Sequence, residues 1–350
     1  MKDYQIKLVG YDLLGENGND GVRFAWNYGD RPHYVESAAF GQNTKISEGN
    51  TGISGYTTSV TAGCVLRTMN VACRFCRTGI TIPFSGFLTS RDIAKENVMM
   101  VLADMYCNDH AGLKNNKREF AYMGQGEPGY SYTQIREAIK ITDMVMEELG
   151  ESVHRHIIAT SGIPELVEAY KDDLRNGFFK KRVTFHFSLH ATNKRSLIMP
   201  IDKVYGFEQV LSSMKEIVTI TGEKPCVGIM LFKNYYPRGI FDSYSNDITT
   251  MTRIAESLDP NTVRVSLCEF NSASETGTSD ILNYEDSYDL LDVFLSRGFE
   301  AKLFSSYGRE KNTACGMLGA KKPEHQIKEK WKKLEIRAEE LVNRFSNDSR

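Results

Sequence analysis

The length, composition and charge of the chain limit what it can be. Its 350 residues suffice for one large barrel-like domain or two ordinary ones, and 41% hydrophobic with 25% charged residues is the ordinary range for a globular protein. No apolar run approaches the roughly 18 residues of a membrane span, and the start, MKDYQIKLVG, lacks the features of a signal peptide. We therefore expect a cytoplasmic protein. The net charge of −2 is not the basic surplus typical of nucleic-acid binders, so an RNA partner would need a local basic patch.

The pattern along the chain predicts three segments. Residues 1–56 are rich in Gly, Asn and Asp and are typical of a short β-rich N-terminal extension. Residues 57–320 alternate strand-like and helix-like stretches. Residues 321–350 form a charged C-terminal helix in which Trp331, Leu334 and other apolar residues recur at helical spacing. We expect this apolar stripe to pack on the domain, and a basic surface facing RNA is the alternative.

The alternating segment predicts parallel strands joined by helical crossovers. Six strand–helix units favour an α/β fold with a partial (β/α)6 barrel over a flat sheet, and in either geometry the working site lies at the carboxyl ends of the strands. The strand candidates are 57–62, 119–123, 154–161, 182–188, 225–232, 262–268 and 300–306. The helix candidates are 89–107, 131–150, a helix from Pro164, 206–221, 247–258 and 284–297.

The seven cysteines indicate metal-binding or catalytic roles and not a disulfide scaffold, because their number is odd and no secretion signal precedes them. Cys73 and Cys76 form a C-x-x-C pair, and Cys64 lies nine positions before Cys73. Three thiolates hold a [4Fe–4S] cluster with one iron open, and in radical S-adenosylmethionine (SAM) chemistry that iron binds SAM. These residues therefore favour a partial barrel of the radical SAM type. A zinc site and incidental thiols remain alternatives on these residues alone.

Several further motifs occur in the order found in the Cfr/RlmN-type radical SAM methylases, which methylate an adenine ring carbon in ribosomal RNA. FCRTG followed by GFLTSRDI resembles the cluster motif of that family, and AYMGQGEP (121–128) resembles its Gly-Glu-Pro loop. IIATSG (157–162), HFSLHATN (186–193), CEFN (268–271) and NTACGML (312–318) resemble four later motifs. The resemblance covers roughly residues 20–320.

The resemblance implies a cofactor site for SAM beside the cluster. Gly124 and Gly126 would allow close backbone approach to the ligand, and Glu127 would accept a hydrogen bond from the SAM ammonium group. Ser161, Ser188 and Asn271 would bond its carboxylate or ribose, while His190 would orient a ligand. As isolated residues, the serines and the asparagine are equally typical of local turns or caps, and His190 of a structural histidine.

Cys315 is the catalytic residue that the resemblance implies. The matching cysteine of the family accepts a methyl group from one SAM, and a deoxyadenosyl radical from a second SAM abstracts hydrogen from that methyl. The resulting carbon radical adds to an sp² carbon of adenine. The chemistry needs a nucleophilic thiol in a loop, and Gly316 and Gly319 suit such a loop.

The sequence departs from the family at two cysteines. The family spaces its cluster ligands C-x₃-C-x₂-C, but Met69 stands where its first ligand would be, so Cys64 supplies the third thiolate in a C-x₈-C-x₂-C arrangement. Thr57 stands seven residues before Cys64, where the family has a second catalytic cysteine that resolves the protein–RNA thioether. In another alignment Cys64 is that resolving residue and the cluster has only two ligands.

We predict a radical SAM enzyme that transfers a methyl or methylene group to an unreactive sp² carbon through Cys315. An RNA adenine is the acceptor that the resemblance implies, although the N-terminal RNA-contacting domain of the family has no counterpart in the printed sequence and the charge is near neutral. Such chemistry needs an electron donor such as flavodoxin or ferredoxin. The alternatives are a radical SAM enzyme of another reaction type acting on a peptide or small molecule, and a non-catalytic zinc-bearing RNA-binding module. Cys107 has no evident role.

Overall fold

The computed structural model describes residues 4–15, 21–40, 53–106, 117–271, 273–282, 284–304, 317–319 and 321–346. In chain order its strands are β1 Ile6–Leu14, β2 Gly21–Tyr28, β3 Tyr34–Phe40, β4 Ile53–Thr57, β5 Thr61–Ala62, β6 Gly86–Phe87, β7 Lys117–Tyr122, β8 Ser152–Thr160, β9 Val183–Ser188, β10 Cys226–Leu231, β11 Tyr236–Pro237, β12 Arg264–Glu269, β13 Gly277–Thr278, β14 Ala301–Phe304 and β15 His325–Gln326. The helices are α1 Val65–Thr68, α2 Arg77–Thr81, α3 Ser90–Tyr106, α4 Tyr132–Leu149, α5 Pro164–Arg175, α6 Arg195–Ile198, α7 Phe207–Ser212, α8 Met214–Thr221, α9 Ile248–Glu256, α10 Tyr284–Leu295 and α11 Glu329–Ser346.

Seven parallel strands form the larger part of one eleven-stranded sheet. Their order is β4-β7-β8-β9-β10-β12-β14, and each neighbouring pair runs parallel. Helices lie in every crossover, and β14 pairs with β12 alone among the described strands. The predicted α/β fold with a partial, open barrel is therefore confirmed.

The N-terminal strands continue this sheet. β1, β2 and β3 pair antiparallel in sequence order, and β3 pairs with β4, so the barrel sheet runs without a break into residues 6–40. On its far side β1 pairs with β15, which returns from the C-terminal part of the chain. The described residues of the predicted extension thus share hydrogen bonds with the barrel, and the division of the chain at 56/57 and 320/321 stays a prediction.

The predicted first strand at 57–62 is wrong. The first parallel strand is β4, which ends at Thr57, and the short β5 turns away to pair with β6. The chain leaves the β4–β7 pairing because Ser59 bonds to other partners. Its hydroxyl donates to the Glu36 carbonyl at 2.5 Å and accepts from the backbone amide of Gln125 at 2.8 Å. The predicted helix at 206–221 is likewise interrupted, since α7 and α8 meet at Ser213.

Helix α11 packs its apolar stripe on the domain, as predicted. Trp331 is buried, with its ring 4.8 Å from that of Tyr11 and 5.6 Å from that of Phe24. The fully buried ammonium of Lys95 on α3 lies 2.8 Å from the Glu335 carboxylate and 2.6 Å from that of Glu339. The helix is therefore held by both apolar burial and paired charges. None of the helices in the described residues is long and apolar enough to cross a membrane.

Candidate active site

The three predicted cluster ligands lie together in the loop region that follows β5. Cys64 immediately precedes α1, Cys76 immediately precedes α2, and the Cys76 amide donates to the Cys73 carbonyl at 3.1 Å in a tight C-x-x-C turn. Cys64 is buried, while Cys73 and Cys76 are half-buried. All three are free thiols at the carboxyl end of the sheet.

The longer spacing between Cys64 and Cys73 is accommodated by one extra helical turn. Residues 65–68 form α1, and the chain then reverses at Asn70, which has a left-handed φ of 56°. The Val71 amide donates to the Leu66 carbonyl at 2.9 Å, and both side chains are buried. Met69, at the position of the family's first ligand, is 40% exposed and points away from this core.

Electrostatics in the cysteine loop disfavour three bare thiolates. Burial, and after it the negative charge of the Cys76 thiolate, raise the pKa of Cys64 to about 12. Burial also raises the pKa of Cys73 well above its usual range, with Cys76 and Cys64 adding to the effect. Neighbouring amide groups act in the opposite direction at Cys64 and Cys76, although neither sulfur caps its helix with a hydrogen bond. Positive charge is needed to hold all three as thiolates.

The donor set fits an iron–sulfur cluster better than a single zinc ion. Among the residues that the structure describes, no three His, Cys, Asp or Glu side chains converge on a point where one ion would bind. A [4Fe–4S] cluster places each cysteine on a different iron, so its ligands do not have to converge in that way. The iron atoms also supply the positive charge that these buried thiols require.

The loop after β7 is held tightly against the chain that follows β4. A Cβ atom on Gly126, whose φ is +113°, would lie 2.2 Å from the Thr61 hydroxyl oxygen, and one on Gly124 would lie 2.7 Å from that of Ser59. The close backbone approach that these glycines allow is therefore made to protein in this structure. Contact with a ligand stays a prediction for both.

The Glu127 carboxylate is buried and already receives four hydrogen bonds. One oxygen accepts from the Thr160 hydroxyl at 2.5 Å and the Gly129 amide at 3.0 Å. The other accepts from the Ser161 amide at 2.9 Å and the Ser161 hydroxyl at 2.6 Å. Because a carboxylate has about four acceptor positions, a ligand ammonium would have to displace one donor, and a hydroxyl such as that of Ser161 can rotate away.

A buried arginine, which no sequence motif marks, joins the ends of two strands. Arg195 donates to the carbonyls of Ser161 and Ser188, at 2.7 and 3.1 Å, and to the Asp202 carboxylate at 2.8 Å. Burial lowers its pKa, while Asp202 and the Cys73 thiolate raise it, so the guanidinium lies within electrostatic range of the cysteine loop. It connects the predicted SAM-binding serines to the predicted cluster.

His190 adopts a conformation that fixes its ring and its charge state. Its φ is 57°, a left-handed value uncommon for a residue other than glycine, and its Nδ1 accepts from the Met230 amide at 3.0 Å. Its ring packs edge-on against Phe75 at 5.1 Å. Burial, and then the charge of Arg195, lower its pKa to about 3. The ring is therefore neutral, with its proton on Nε2 and available for donation.

The remaining predicted residues divide between described and undescribed parts of the chain. Asn271 is buried directly after β12, and Thr57 ends β4 half-buried. Cys315 and Cys107 lie outside the described residues. The segment that begins two residues beyond Cys315 is anchored beside α2: the Leu318 carbonyl accepts from the Thr78 hydroxyl at 2.6 Å, and a Cβ on Gly319 would lie 2.6 Å from the Arg77 side chain.

Known proteins resemble this chain over most of its length. A protein named probable dual-specificity RNA methyltransferase RlmN, from Dictyoglomus turgidum, is 28% identical over 269 residues, which cover 75% of this chain and 68% of that protein. The protein of the same name from Thermosipho melanesiensis is 26% identical over 304 residues, which cover 86% and 77%. The crystal structure of a radical SAM methyltransferase from Sphaerobacter thermophilus superposes with a TM-score of 0.70 at 20% identity, over 91% of this chain and 82% of that one. No protein-family model matches the chain.

A parallel, open barrel with three cysteines at the carboxyl ends of its strands is the framework of a radical SAM enzyme. The similarity of sequence over more than two thirds of both chains identifies it as one of the methyltransferase type. This chain is a divergent relative of the RlmN/Cfr-type methyltransferases, and the resemblance seen in its motifs is confirmed.

Proposed function

We propose that this enzyme transfers a one-carbon group to an unreactive sp² ring carbon, with Cys315 as the carrier and an RNA adenine as the acceptor. The observation that supports it best is the meeting of two sets of residues at one end of the sheet. Cys64 and Cys73 lie within electrostatic range of Glu127, since its charge raises the pKa of both thiols. The relatives' name supplies the RNA acceptor.

The chain's own residues have distinct roles in this proposal. Cys64, Cys73 and Cys76 hold the cluster, and Arg195 orients the ends of β8 and β9 beside it. When bound, the cluster and SAM supply methionine and a 5′-deoxyadenosyl radical. Glu127 would then bind the SAM ammonium, provided that the Ser161 hydroxyl turns from the carboxylate toward the ligand.

Cys315 performs the transfer in two steps. Its thiolate sulfur forms a bond to the methyl carbon of one SAM as the carbon–sulfonium bond breaks, so S-adenosylhomocysteine leaves and the thiol proton passes to solvent. The methyl group then gives up a hydrogen atom to the 5′-deoxyadenosyl radical supplied by a second SAM, which becomes 5′-deoxyadenosine. The methylene carbon forms a bond to the ring carbon of the acceptor as a π bond of the ring opens, and the unpaired electron is left on the ring. The anchoring of Leu318 to Thr78 supports this role, because it holds the chain near the helix that begins after Cys76.

The proposal ends at the new carbon–carbon bond. In the resembled family a second cysteine releases the product, and Thr57 stands at that position with a hydroxyl in place of a thiol. The reductant, a flavodoxin or ferredoxin, the cytoplasmic location and the three-segment division of the chain belong to the same proposal.

Peptide mass spectrometry tests it. The protein is purified anaerobically with its cluster intact, exposed to SAM, and digested, and the peptide that contains Cys315 is examined for a one-carbon adduct. The peptide that contains Cys107 is an internal control and should remain unmodified. A bare Cys315 in protein that still produces 5′-deoxyadenosine would reject the carrier role.

The second candidate function is a radical SAM reaction of another type, in which a hydrogen is abstracted directly from a peptide or small molecule. The absence of a thiol at Thr57 favours it, because a complete methyl-transfer cycle of the family type uses two cysteines. The outcome with bare Cys315 and continuing 5′-deoxyadenosine formation would support this candidate.

A further inference from the structure

The chain that leads into Cys64 is held by Gln125, a residue of the neighbouring loop after β7. The backbone carbonyl of Gln125 accepts from the amides of Val60 and Thr61, at 2.9 and 3.2 Å. Its side-chain Oε1 accepts from the amide of Gly63 at 3.2 Å. Gln125 is fully buried, so water does not compete for these bonds. Its backbone thus holds residues 60 and 61, and its side chain holds the residue immediately before the first cysteine.

The peptide of Gly63 determines where the next residue, Cys64, is placed. Gly63 has a left-handed φ of +75°, and a Cβ atom there would lie 2.3 Å from the Pro83 carbonyl oxygen. Its carbonyl accepts from the Thr61 hydroxyl. Cys64 follows with extended backbone and immediately precedes α1. Because Cys64 is bonded directly to this peptide, a shift of the Gly63 amide also shifts the Cys64 sulfur.

The partners of the Gln125 side chain fix the direction in which its amide group faces. Its Nε2 donates to the Tyr34 carbonyl at 3.0 Å and to the Glu36 carboxylate at 3.2 Å, both on β3. These two partners are acceptors and the Gly63 amide is a donor, so one orientation of the side-chain amide satisfies all three. A carboxylate at this position could not donate, and an apolar side chain could neither donate nor accept. The position therefore requires a primary amide.

The Glu36 carboxylate is held in turn by buried charges of the N-terminal strands. Arg23 on β2 forms an ion pair with Glu36, and its Nε donates to the Asp12 carboxylate on β1 at 2.7 Å. All three residues are buried. Moving one of them would leave an unpaired charge in the interior, so the network resists rearrangement. A series of hydrogen bonds and ion pairs therefore runs from β1, β2 and β3 through Gln125 to Gly63.

We propose that Gln125 is a positioning residue for Cys64, and that the N-terminal strands hold it in place through Glu36. The role of Cys64 as a cluster ligand rests on the proposed function, whereas the contacts that position it do not. The spacing of the cysteines explains the need for such a residue. Cys73 and Cys76 are fixed relative to each other by their own tight turn, but Cys64 lies nine positions before Cys73. The Gln125 side chain supplies a separate anchor for it.

Alkylation of the cluster-free full chain with iodoacetamide tests the anchor, with the rates at Cys64 and Cys226 followed by peptide mass spectrometry. Gln125→Met keeps the length of the side chain but cannot bond to Gly63. We therefore expect Cys64 to react about tenfold faster, the effect of losing one buried hydrogen bond. Cys226, buried on β10, reports general loosening of the protein and should keep its rate. Gln209→Met changes an exposed glutamine of α7 and should alter neither rate.

Glu36→Gln tests the link to the N-terminal strands and provides a second variant if Gln125→Met does not fold. The substitution weakens the acceptor that orients the Gln125 amide, so we expect Cys64 to react about threefold faster. Because Glu36 acts on Cys64 through Gln125, the double variant should react no faster than Gln125→Met alone. An unchanged rate at Cys64 in Glu36→Gln, or independent effects of the two substitutions, would overturn this link.

The rate at which the holoenzyme loses iron to a chelator measures the same anchor with the cluster in place. We expect the Gln125→Met holoenzyme to lose iron about tenfold faster than the unaltered protein. Equal acceleration of alkylation at Cys64 and Cys226, or an unchanged rate at Cys64, would overturn the proposal. Unchanged iron loss from a variant in which Cys64 reacts faster would do the same. An unaltered protein that binds no iron rejects the proposed function instead, and the alkylation rates still decide whether Gln125 holds Cys64.

Discussion

Two loops lie at the carboxyl end of the sheet, one around Glu127 and one around the three cysteines. They differ in how many of the hydrogen-bond and charge partners that their side chains need are supplied by the protein itself. The Glu127 carboxylate has four donors, supplied by the end of β8, the residue that follows it and the turn after β7. The cysteine thiols are buried and their thiolates repel one another, and both effects raise their pKa. Nearby amides lower the pKa of Cys64 by a smaller amount. The first loop has its hydrogen bonds without any ligand, whereas the second lacks a source of positive charge. The loop that we propose for SAM is thus built into the fold, and the proposed cluster would be added to it.

The largest effect should come from removing one cysteine of the loop. Cys73→Ala leaves two thiolates for the cluster, so we expect 5′-deoxyadenosine formation from SAM to fall by roughly 100-fold or more. Iron content per chain and the yield of 5′-deoxyadenosine are the measurements. Cys268→Ala, at a half-buried thiol on β12, is the matched control and should keep both. A Cys73→Ala protein with normal iron and SAM cleavage would contradict the contrast between the loops.

Glu127→Gln should damage the loop that is already complete. The amide NH₂ of glutamine would face either the Ser161 amide or the donors on the other side, so one buried donor loses its acceptor. We expect the free energy of unfolding to fall by about 2–3 kcal/mol even without cofactors. Urea denaturation of the cluster-free protein measures this, with the exposed Glu165→Gln as control. An unchanged unfolding midpoint would mean that the carboxylate is not integral to the loop.

Gly126→Ala probes the same loop through its backbone. The added methyl would meet the Thr61 hydroxyl at 2.2 Å at a φ of +113°, so both steric and conformational costs apply. We expect a loss of about 2 kcal/mol or more in unfolding free energy. Gly177→Ala also has a positive φ, of +62°, but open space around its Cβ, so its loss should be about 1 kcal/mol. Equal losses in the two variants would show that the contact with Thr61 is unimportant.

The smallest effect concerns pH and the neutral ring of His190. Its pKa is about 3 when folded, against about 6.5 in an unfolded chain, so the unfolded state binds the extra proton between these values. The stabilisation is complete above pH 6.5 and is lost as the pH falls toward 3, which amounts to about 2 kcal/mol between pH 7 and pH 5. Asparagine tolerates the left-handed backbone but has no titrating ring. Between pH 7 and pH 5 the free energy of unfolding of the His190→Asn variant should therefore fall by about 2 kcal/mol less than that of the unaltered protein. Identical pH profiles in urea denaturation would show that His190 is not held neutral.

The strands and helices of the barrel were predictable because they follow local patterns. Alternating β-rich runs and capped helices marked most elements to within a few residues, as at α3 and α5. The first strand was misplaced because its end is set by Ser59, whose partners are Glu36 and Gln125, distant in sequence. Local patterns carry no information about such partners.

The site was predictable only where a motif marks it. The cysteines and the Glu127 loop belong to short motifs, whereas Arg195 acts through carbonyl groups of two other strands. The four hydrogen bonds to the Glu127 carboxylate could not be predicted from the sequence either, because some of their donors come from the end of a neighbouring strand.

The pairing of β1 with β15 has a consequence for the order in which the chain folds. Asp12 and Arg23 form a buried ion pair, and both also bond to the later chain, Arg23 to the Lys321 carbonyl at 3.1 Å and Asp12 to the Glu324 amide at 2.5 Å. During synthesis the first strands emerge about three hundred residues before these partners. Their burial must wait until the ribosome has made residues 321–324, so we expect the N-terminal strands to be the last part of the sheet to become native.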